Sequence, residues 1–213
     1  MCYFLYNMLF IIFFLFSFFR NTNTYDLCIA GASSGLGREL IYQGLDKKNK
    51  IVGLTNKEKI KIPFRGNTLS EKYIDEYICN KNLKLIKYYD NIPEYESLIL
   101  TMGGSAFEKD DYSDKVTEYL IENLPKKCKN VILISAYGVG DSIKGANLGI
   151  VSMRNWYLKD VYRAKEEQEK IIKDLNNKIN IKIYRPKVLS YGGNSFDSLS
   201  REKLANEILS SLK

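Results

Sequence analysis

The sequence predicts a doubly wound α/β fold, in which helices cover both faces of a parallel β-sheet. Three observations support this prediction. From residue 25 onward, short apolar runs alternate with longer segments of helical spacing. The first apolar run leads directly into a turn that contains three glycines. The chain has 213 residues, 45% of them hydrophobic and 27% charged, which suits one globular domain with a sizeable core.

The first half of the domain begins with a strand, a helix and a second strand. Residues 26–30 form a short apolar run typical of a buried parallel strand. A helix follows at Gly37–Gly44, because apolar residues at 36, 40, 41 and 45 lie near helical spacing. Residues 50–54 repeat the pattern of a buried strand. Two further strand–helix units are expected between 57 and 95, around 73–78 and 83–87.

The second half of the domain continues the alternation. Pro125 ends one helix, and Ser200 is expected to cap the last one, which carries Leu204, Ile208 and Leu212 on one face. The predicted elements are strand 97–102, helix 111–124, strand 131–134, a Lys- and Glu-rich helix 156–175, strand 179–184 and helix 201–212.

The N-terminal segment 1–19 differs from everything after it. It contains no charged residue, and about 20 apolar residues suffice to cross a bilayer as a helix. We therefore expect an apolar N-terminal helix at 1–19 as a candidate membrane anchor, a polar linker at 20–24 and the domain at 25–213. A buried first strand or helix and a mis-called start codon remain alternatives. Arg20 favours a domain on the cytoplasmic face of the membrane. If the segment is not translated, we expect a cytoplasmic protein.

The composition excludes several kinds of chemistry. There is no His, so a Ser-His-Asp triad, a Cys-His dyad and a His-ligated zinc cannot operate. The four cysteines are scattered without a Cys-x-x-Cys pair, which indicates reduced thiols rather than a disulfide framework or a metal site. The net charge of +7 permits nucleic-acid binding, but Lys alternates with Glu along the helices, as on a solvated face. We therefore expect no metal and no specific nucleic-acid partner.

The most informative stretch is Gly-Ala-Ser-Ser-Gly-Leu-Gly at residues 31–37, here called the glycine turn. It follows a predicted strand and opens a predicted helix, which is the context of a dinucleotide-binding turn. Gly31 permits the tight turn, Gly35 lets the main chain approach a pyrophosphate, and Gly37 allows close helix packing. Main-chain amides at the helix N-terminus are expected to bind the phosphates. The candidate cofactor-binding residues here are Gly31, Ser33, Ser34, Gly35, Leu36, Gly37 and Arg38.

The glycine spacing resembles that of the short-chain dehydrogenase/reductase superfamily, although Ala30 stands where many members have Thr. Later segments resemble the atypical branch of that superfamily, which includes NmrA-like and biliverdin/flavin-reductase-like proteins. These segments are Ile-Ser-Ala-Tyr-Gly-Val-Gly-Asp at 134–141, Tyr-Arg-Ala-Lys-Glu-Glu-Gln-Glu at 162–169, Ile-Tyr-Arg-Pro at 183–186 and Ser-Leu-Ser-Arg-Glu-Lys-Leu-Ala at 198–205. The resemblance covers nearly the whole chain after residue 24 and implies a Rossmann fold.

The second strand provides evidence about the cofactor. An NAD-binding protein usually places Asp or Glu about 20 residues after the glycine turn. The strand here ends instead in Thr55, Asn56 and Lys57, which can hydrogen-bond a 2′-phosphate. We therefore expect NADP(H), with NAD(H) less favoured. Gly103 and Gly104, after a later strand, are further candidates for close approach to the cofactor.

The superfamily's usual catalytic group is incomplete. Ser135 matches the carbonyl-polarising serine, but no Tyr-x-x-x-Lys motif is present. Tyr162 and Lys165 are three residues apart, which places them on one helical face, so the expected catalytic residues are Ser135, Tyr162 and Lys165. Tyr137 and Tyr157 are alternative proton donors. The predicted function is an NADP(H)-dependent oxidoreductase that transfers hydride to a small-molecule acceptor; the alternative is a non-catalytic dinucleotide-binding sensor or scaffold. The oligomeric state is left open.

Overall fold

A six-stranded parallel sheet forms the centre of the protein in a computed structural model, which describes residues 24–58, 60–63, 71–73, 82–103, 110, 112–175, 179–190 and 198–212. Its order is β5-β2-β1-β6-β7-β8, and every neighbouring pair is parallel. The strands are β1 (Tyr25–Ala30), β2 (Ile51–Leu54), β5 (Leu83–Ile86), β6 (Tyr95–Leu100), β7 (Asn130–Ile134) and β8 (Asn180–Tyr184). The predicted doubly wound fold is confirmed.

Helices cover both faces of this sheet because side chains alternate along each strand. On β1, Leu27 and Ile29 face the helices α1 (Gly35–Asp46) and α5 (Arg201–Ser210). Cys28 and Ala30 face the opposite side, where α2 (Ser113–Glu122) and α4 (Lys159–Lys173) pack. Both layers are apolar and well buried, so each face has a core of its own.

Three predicted helices have shorter bounds in the structure, and the last of them, α5, ends at Ser210 instead of 212. Helix α2 begins at Ser113 instead of 111, since the carboxylate of buried Asp110 accepts the Ser113 amide at 3.0 Å and so sets the helix start. Helix α4 begins at Lys159 instead of 156, because Leu158 has φ −117° and ψ 21° and interrupts the helical path. Before it lie a 3-10 helix (Gly140–Gly145), α3 (Leu148–Ser152) and a π-helix (Met153–Tyr157).

Two small sheets were not predicted. Strands β3 (Lys61–Pro63) and β4 (Glu71–Tyr73) form an antiparallel pair. Of the strand–helix unit expected around 73–78, only Tyr73, the last residue of β4, belongs to the described residues. Strands β9 (Val188–Ser190) and β10 (Ser198–Ser200) form a parallel pair immediately before α5. Short strands of this kind carry too few residues for a periodic signal.

The candidate anchor at 1–19 lies outside the described residues, so it stays a prediction. Among the described residues, no helix is both long enough and apolar enough to cross a membrane.

Candidate functional site

The glycine turn lies at the carboxyl end of β1, in the centre of the sheet. Gly31 adopts φ +87°, a conformation that other residues avoid. The amides of Gly31 and Ala32 donate to the Leu54 carbonyl on β2, at 3.2 and 3.1 Å. The Ser34 amide donates to the Gly31 carbonyl at 2.8 Å. The main chain therefore reverses sharply at Gly31 and enters helix α1 within four residues.

Two of the glycines are required by the packing of the turn itself. A Cβ on Gly31 would lie 2.6 Å from Oγ1 of Thr101, the residue after β6. A Cβ on Gly37 would overlap the Gly31 carbonyl oxygen and lie 2.9 Å from Ser34 Oγ. Gly37 thus packs against the turn as well as allowing the helix to approach the sheet.

The N-terminus of α1 offers main-chain donors. Within the described part of the chain, no hydrogen bond engages the amides of Ser33 and Leu36. By contrast, the Gly37 amide donates to Ser34 Oγ at 2.9 Å, which makes Ser34 the helix N-cap. Arg38 lies in the first turn, and its amide donates to the Ser34 carbonyl at 2.9 Å. The Leu36 amide lies in the first turn of α1, at the positive end of the helix dipole, and the Ser33 amide lies two residues before the helix. Amides at this end of a helix are suited to bind a phosphate anion.

A cavity of about 430 Å³ lies at the neighbouring strand ends. Thr55 is buried there, and its hydroxyl accepts the Lys57 amide at 3.2 Å. Lys57 lines the cavity and Asn56 is exposed. The lining residues are Thr55, Lys57, Glu58, Lys84, Leu85, Ile86, Lys87, Asp90 and Asn91. Three lysines and two carboxylates therefore share this wall, and the carboxylate of Glu58 stands beyond the strand tip.

Lys165 projects from α4 to the ends of β6 and β7. Its side chain is only 6% exposed, and its ammonium donates to the main-chain carbonyls of Met102 and Ile134, the latter at 2.8 Å. Burial lowers the pKa of Lys165 to about 8, although Asp110 and Glu169 oppose the shift. A Cβ on Gly103 would lie 3.1 Å from Lys165 Cε, so Gly103 leaves space for this lysine. Gly104 lies outside the described residues.

The structure does not join Tyr162 to Lys165 as a proton donor and its activating cation. The Tyr162 hydroxyl donates instead to the Tyr137 carbonyl at 2.9 Å. Burial raises the pKa of Tyr162, with a smaller opposing effect from Arg154. Of the alternative donors, Tyr137 donates its hydroxyl to the Gly145 carbonyl at 2.5 Å, and Tyr157 is 81% exposed.

Ser135 lies beside an ion pair between buried Glu169 and half-buried Arg185, which the sequence did not predict. Arg185 binds Glu169 through both carboxylate oxygens, at 2.8 and 2.7 Å. Burial raises the pKa of Glu169, but Arg185, with Ser135 and Lys173, outweighs burial and holds it below its usual value. Ser135 Oγ is buried and forms no hydrogen bond of normal geometry, although it lies near that carboxylate. Gly140, at φ +55°, packs against the pair.

The missed residues left only partial signals in the sequence. Glu169 follows Lys165 by four residues on a face of α4 that also carries Gln168, and polar residues on a core-facing stripe indicate a buried network. Arg185 ends a strand, as functional residues of doubly wound folds often do. Thr101 is also a strand-end polar residue, and it contacts the glycine turn from 70 residues away.

The sheet order and the position of the glycine turn after the central strand define a Rossmann fold. No protein-family model and no curated protein matches the sequence.

Solved structures with the same fold are numerous. ChuY, an anaerobilin reductase from Escherichia coli, is 17% identical, with a TM-score of 0.58 over 87% of this chain and 89% of that one. A protein from Bacillus halodurans named as an NAD-dependent epimerase/dehydratase is 13% identical, with a TM-score of 0.60 over 89% and 88%. One from Streptococcus pneumoniae named as an NADH-flavin reductase is 10% identical, with a TM-score of 0.57 over 88% and 92%. These neighbours share the fold of this chain.

Proposed function

We propose that this protein is an NADP(H)-dependent oxidoreductase that transfers hydride to a small organic acceptor. The observation that carries the proposal is the pair of amides, Ser33 and Leu36, at the N-terminus of α1. They follow the central strand of a Rossmann sheet, where a diphosphate binds in proteins of this fold. The names of the structural neighbours, two of them reductases, support the same class of reaction.

The residues present fit a dinucleotide along the carboxyl edge of the sheet. Ser33 and Leu36 would bind the pyrophosphate, with Gly35 and Arg38 in the same helical turn. Gly103, three residues after β6, would adjoin the nicotinamide half. A preference for NADP(H) is supported by Lys57, which lines the cavity at the end of β2 and can pair with a 2′-phosphate.

When bound, the reduced nicotinamide supplies a hydride to the acceptor, and one proton must then come from elsewhere. The hydroxyl of Tyr162 and the ammonium of Lys165 are both hydrogen-bonded to main-chain carbonyls. We therefore propose that water supplies the proton and that these two residues hold the loops around the acceptor. Ser135, which follows β7 and lies near the Glu169 carboxylate, remains our candidate for contacting the acceptor.

Fluorescence titration of the full chain with NADPH and NADH tests the proposal. We expect binding of both, with NADPH tighter. Gly35→Asp should abolish binding by repelling the diphosphate, whereas Gly149→Asp, the same substitution in exposed α3, should leave it unchanged. Lys57→Ala should weaken NADPH alone. Equal affinities for the two nucleotides would refute the proposed NADP(H) preference, and no binding of either would refute the function.

The alternative function is a dinucleotide-binding sensor or scaffold without catalysis. One observation favours it, namely that the polar groups of Tyr162 and Lys165 are both hydrogen-bonded to main-chain carbonyls. Single-turnover oxidation of bound NADPH by flavin and quinone acceptors separates the two. Tight NADPH binding with no oxidation by any acceptor would support the sensor.

We also propose that residues 1–19 attach the domain to the cytoplasmic face of a membrane, because the segment carries no charge over a length that can span a bilayer. Fractionation of full-length protein tests this proposal. Recovery in the soluble fraction without detergent would contradict it.

A further inference from the structure

Thr101 connects the ends of β1 and β6 directly beneath the glycine turn. Its amide donates to the Ala30 carbonyl at 2.8 Å. Its hydroxyl lies 2.9 Å from the Ala30 carbonyl, 3.1 Å from the Gly31 carbonyl and 3.1 Å from Ser34 Oγ. One side chain therefore touches the strand end, the tight turn and the helix cap.

We assign the direction of these bonds from the number of hydrogens available. The carbonyls of Ala30 and Gly31 can only accept, so the single hydroxyl hydrogen of Thr101 goes to one of them. With this assignment, the hydrogen between Thr101 and Ser34 comes from Ser34. Because Ser34 Oγ also accepts the Gly37 amide at 2.9 Å, its donor and one acceptor position are both used inside the protein. Ser34 has no hydrogen left for a phosphate.

This arrangement leaves the task of binding phosphate to the neighbours of Ser34. The hydroxyl of Ser33 and the amides of Ser33 and Leu36 are the donors that remain in the described part of the turn. Their positions depend on the turn that Thr101 and Ser34 hold together. The Thr101 hydroxyl also requires a glycine at position 31, since a Cβ on Gly31 would lie 2.6 Å from Thr101 Oγ1.

We infer that Thr101 is a positioning residue for the dinucleotide, and that it acts by holding the Ser34 hydroxyl in the capping position instead of leaving it to bind phosphate. The inference rests on the proposed function, because it assumes that the turn binds a diphosphate. It extends that function by separating the two serines, with Ser33 as a ligand and Ser34 as support.

The test compares Thr101→Val, which removes the hydroxyl at nearly constant volume, with Thr101→Ser, which keeps it. We expect Thr101→Val to raise the Kd of NADPH and of NADH by the same factor, about tenfold, since both share the pyrophosphate. Thr101→Ser should remain within about threefold of the unaltered protein. Thr117→Val is the matched control, because Thr117 is also buried and hydrogen-bonded but lies on α2. It should lower Tm without changing either Kd.

Ser34→Ala is the second variant, and it tests the same bond if Thr101→Val does not fold. It should raise Kd at least as much as Thr101→Val does, because it also removes the cap on the Gly37 amide. The effect of the double variant should be less than the sum of the two single effects, because both changes break the bond between the two hydroxyls. Unchanged Kd in Thr101→Val, with a loss of Tm like that of Thr117→Val, would overturn the inference while leaving the proposed function intact. Failure of the unaltered protein to bind either nucleotide would overturn the proposed function itself.

Discussion

The sharpest prediction of the structure concerns two glycines in the same helix. In Gly37→Ala, the new methyl group would overlap the Gly31 carbonyl oxygen and lie 2.9 Å from Ser34 Oγ. In Gly44→Ala, it would lie 2.7 Å from Cδ1 of Ile51, the end of a flexible side chain. Both changes gain the same helix propensity, up to about 1 kcal/mol. Their difference therefore isolates the contact with the glycine turn.

The expected losses of stability depend on which atoms can move to relieve each overlap. Main chain that is hydrogen-bonded on both sides cannot shift easily, so Gly37→Ala should reach the upper part of the usual overpacking cost, about 3 kcal/mol before the propensity gain. The net loss of about 2 kcal/mol corresponds to roughly 4–8 °C in Tm for a domain of this size. Gly44→Ala should stay within about 1 kcal/mol of the unaltered protein, because a side-chain tip can rotate away.

Thermal unfolding and NADPH titration of both variants check the prediction. Gly37→Ala should also weaken NADPH binding by at least about tenfold, since relief of the overlap displaces the turn that holds the donor amides. Gly44→Ala should bind as the unaltered protein does. If the two variants have Tm values within about 2 °C of each other and equal Kd values, the described packing of the turn is wrong.

Three further predictions concern the charged and phenolic groups near the sheet edge. Tyr162→Phe should lower stability by about 1 kcal/mol through loss of the bond to Tyr137, yet change kcat less than about threefold; a loss of 100-fold would make the phenol the proton donor. The folded-state pKa of Lys165, about 8, is below its ordinary 10.5, so the unfolded chain binds more protons between these values and stability rises with pH there. Relative to Lys165→Met, the unaltered protein should gain up to about 3 kcal/mol over that interval, measured by urea unfolding. Arg185 holds the pKa of Glu169 below its usual value, so this ion pair stabilises the fold at neutral pH. The contribution is lost as the pH falls through the lowered pKa. The stability of Glu169→Gln should therefore fall less on acidification than that of the unaltered protein.

Local patterns were sufficient to predict the fold and the glycine turn. The apolar run at 26–30 and the glycines after it are consecutive residues, so strand, turn and helix can be inferred from one short window. The helix at 159–173 was also predicted, but its start was placed three residues too early, since Trp156 and Tyr157 have the apolar character of a helix face while lying exposed in a π-helix.

The contacts of the site were less predictable because main-chain atoms carry no sequence signal. Helical spacing correctly placed Tyr162 and Lys165 on one buried face of α4. It could not indicate that the lysine binds two carbonyl oxygens, of Met102 and Ile134, or that the phenol binds a third. Such partners depend on how strand ends meet, which only the assembled sheet determines.

The support of the glycine turn by Thr101 has a consequence for biosynthesis. The hydroxyl contacts bridge 70 positions to Gly31 and 67 to Ser34, so a nascent chain holds β1 and α1 long before it holds the residue that braces the turn between them. If the turn binds the proposed coenzyme, we expect that coenzyme not to stabilise a ribosome-bound fragment that ends before β6, because such a fragment lacks the Thr101 contacts that hold the turn. Strands β1 and β6 must pair first, and a bound coenzyme can stabilise only chains that already contain both strands.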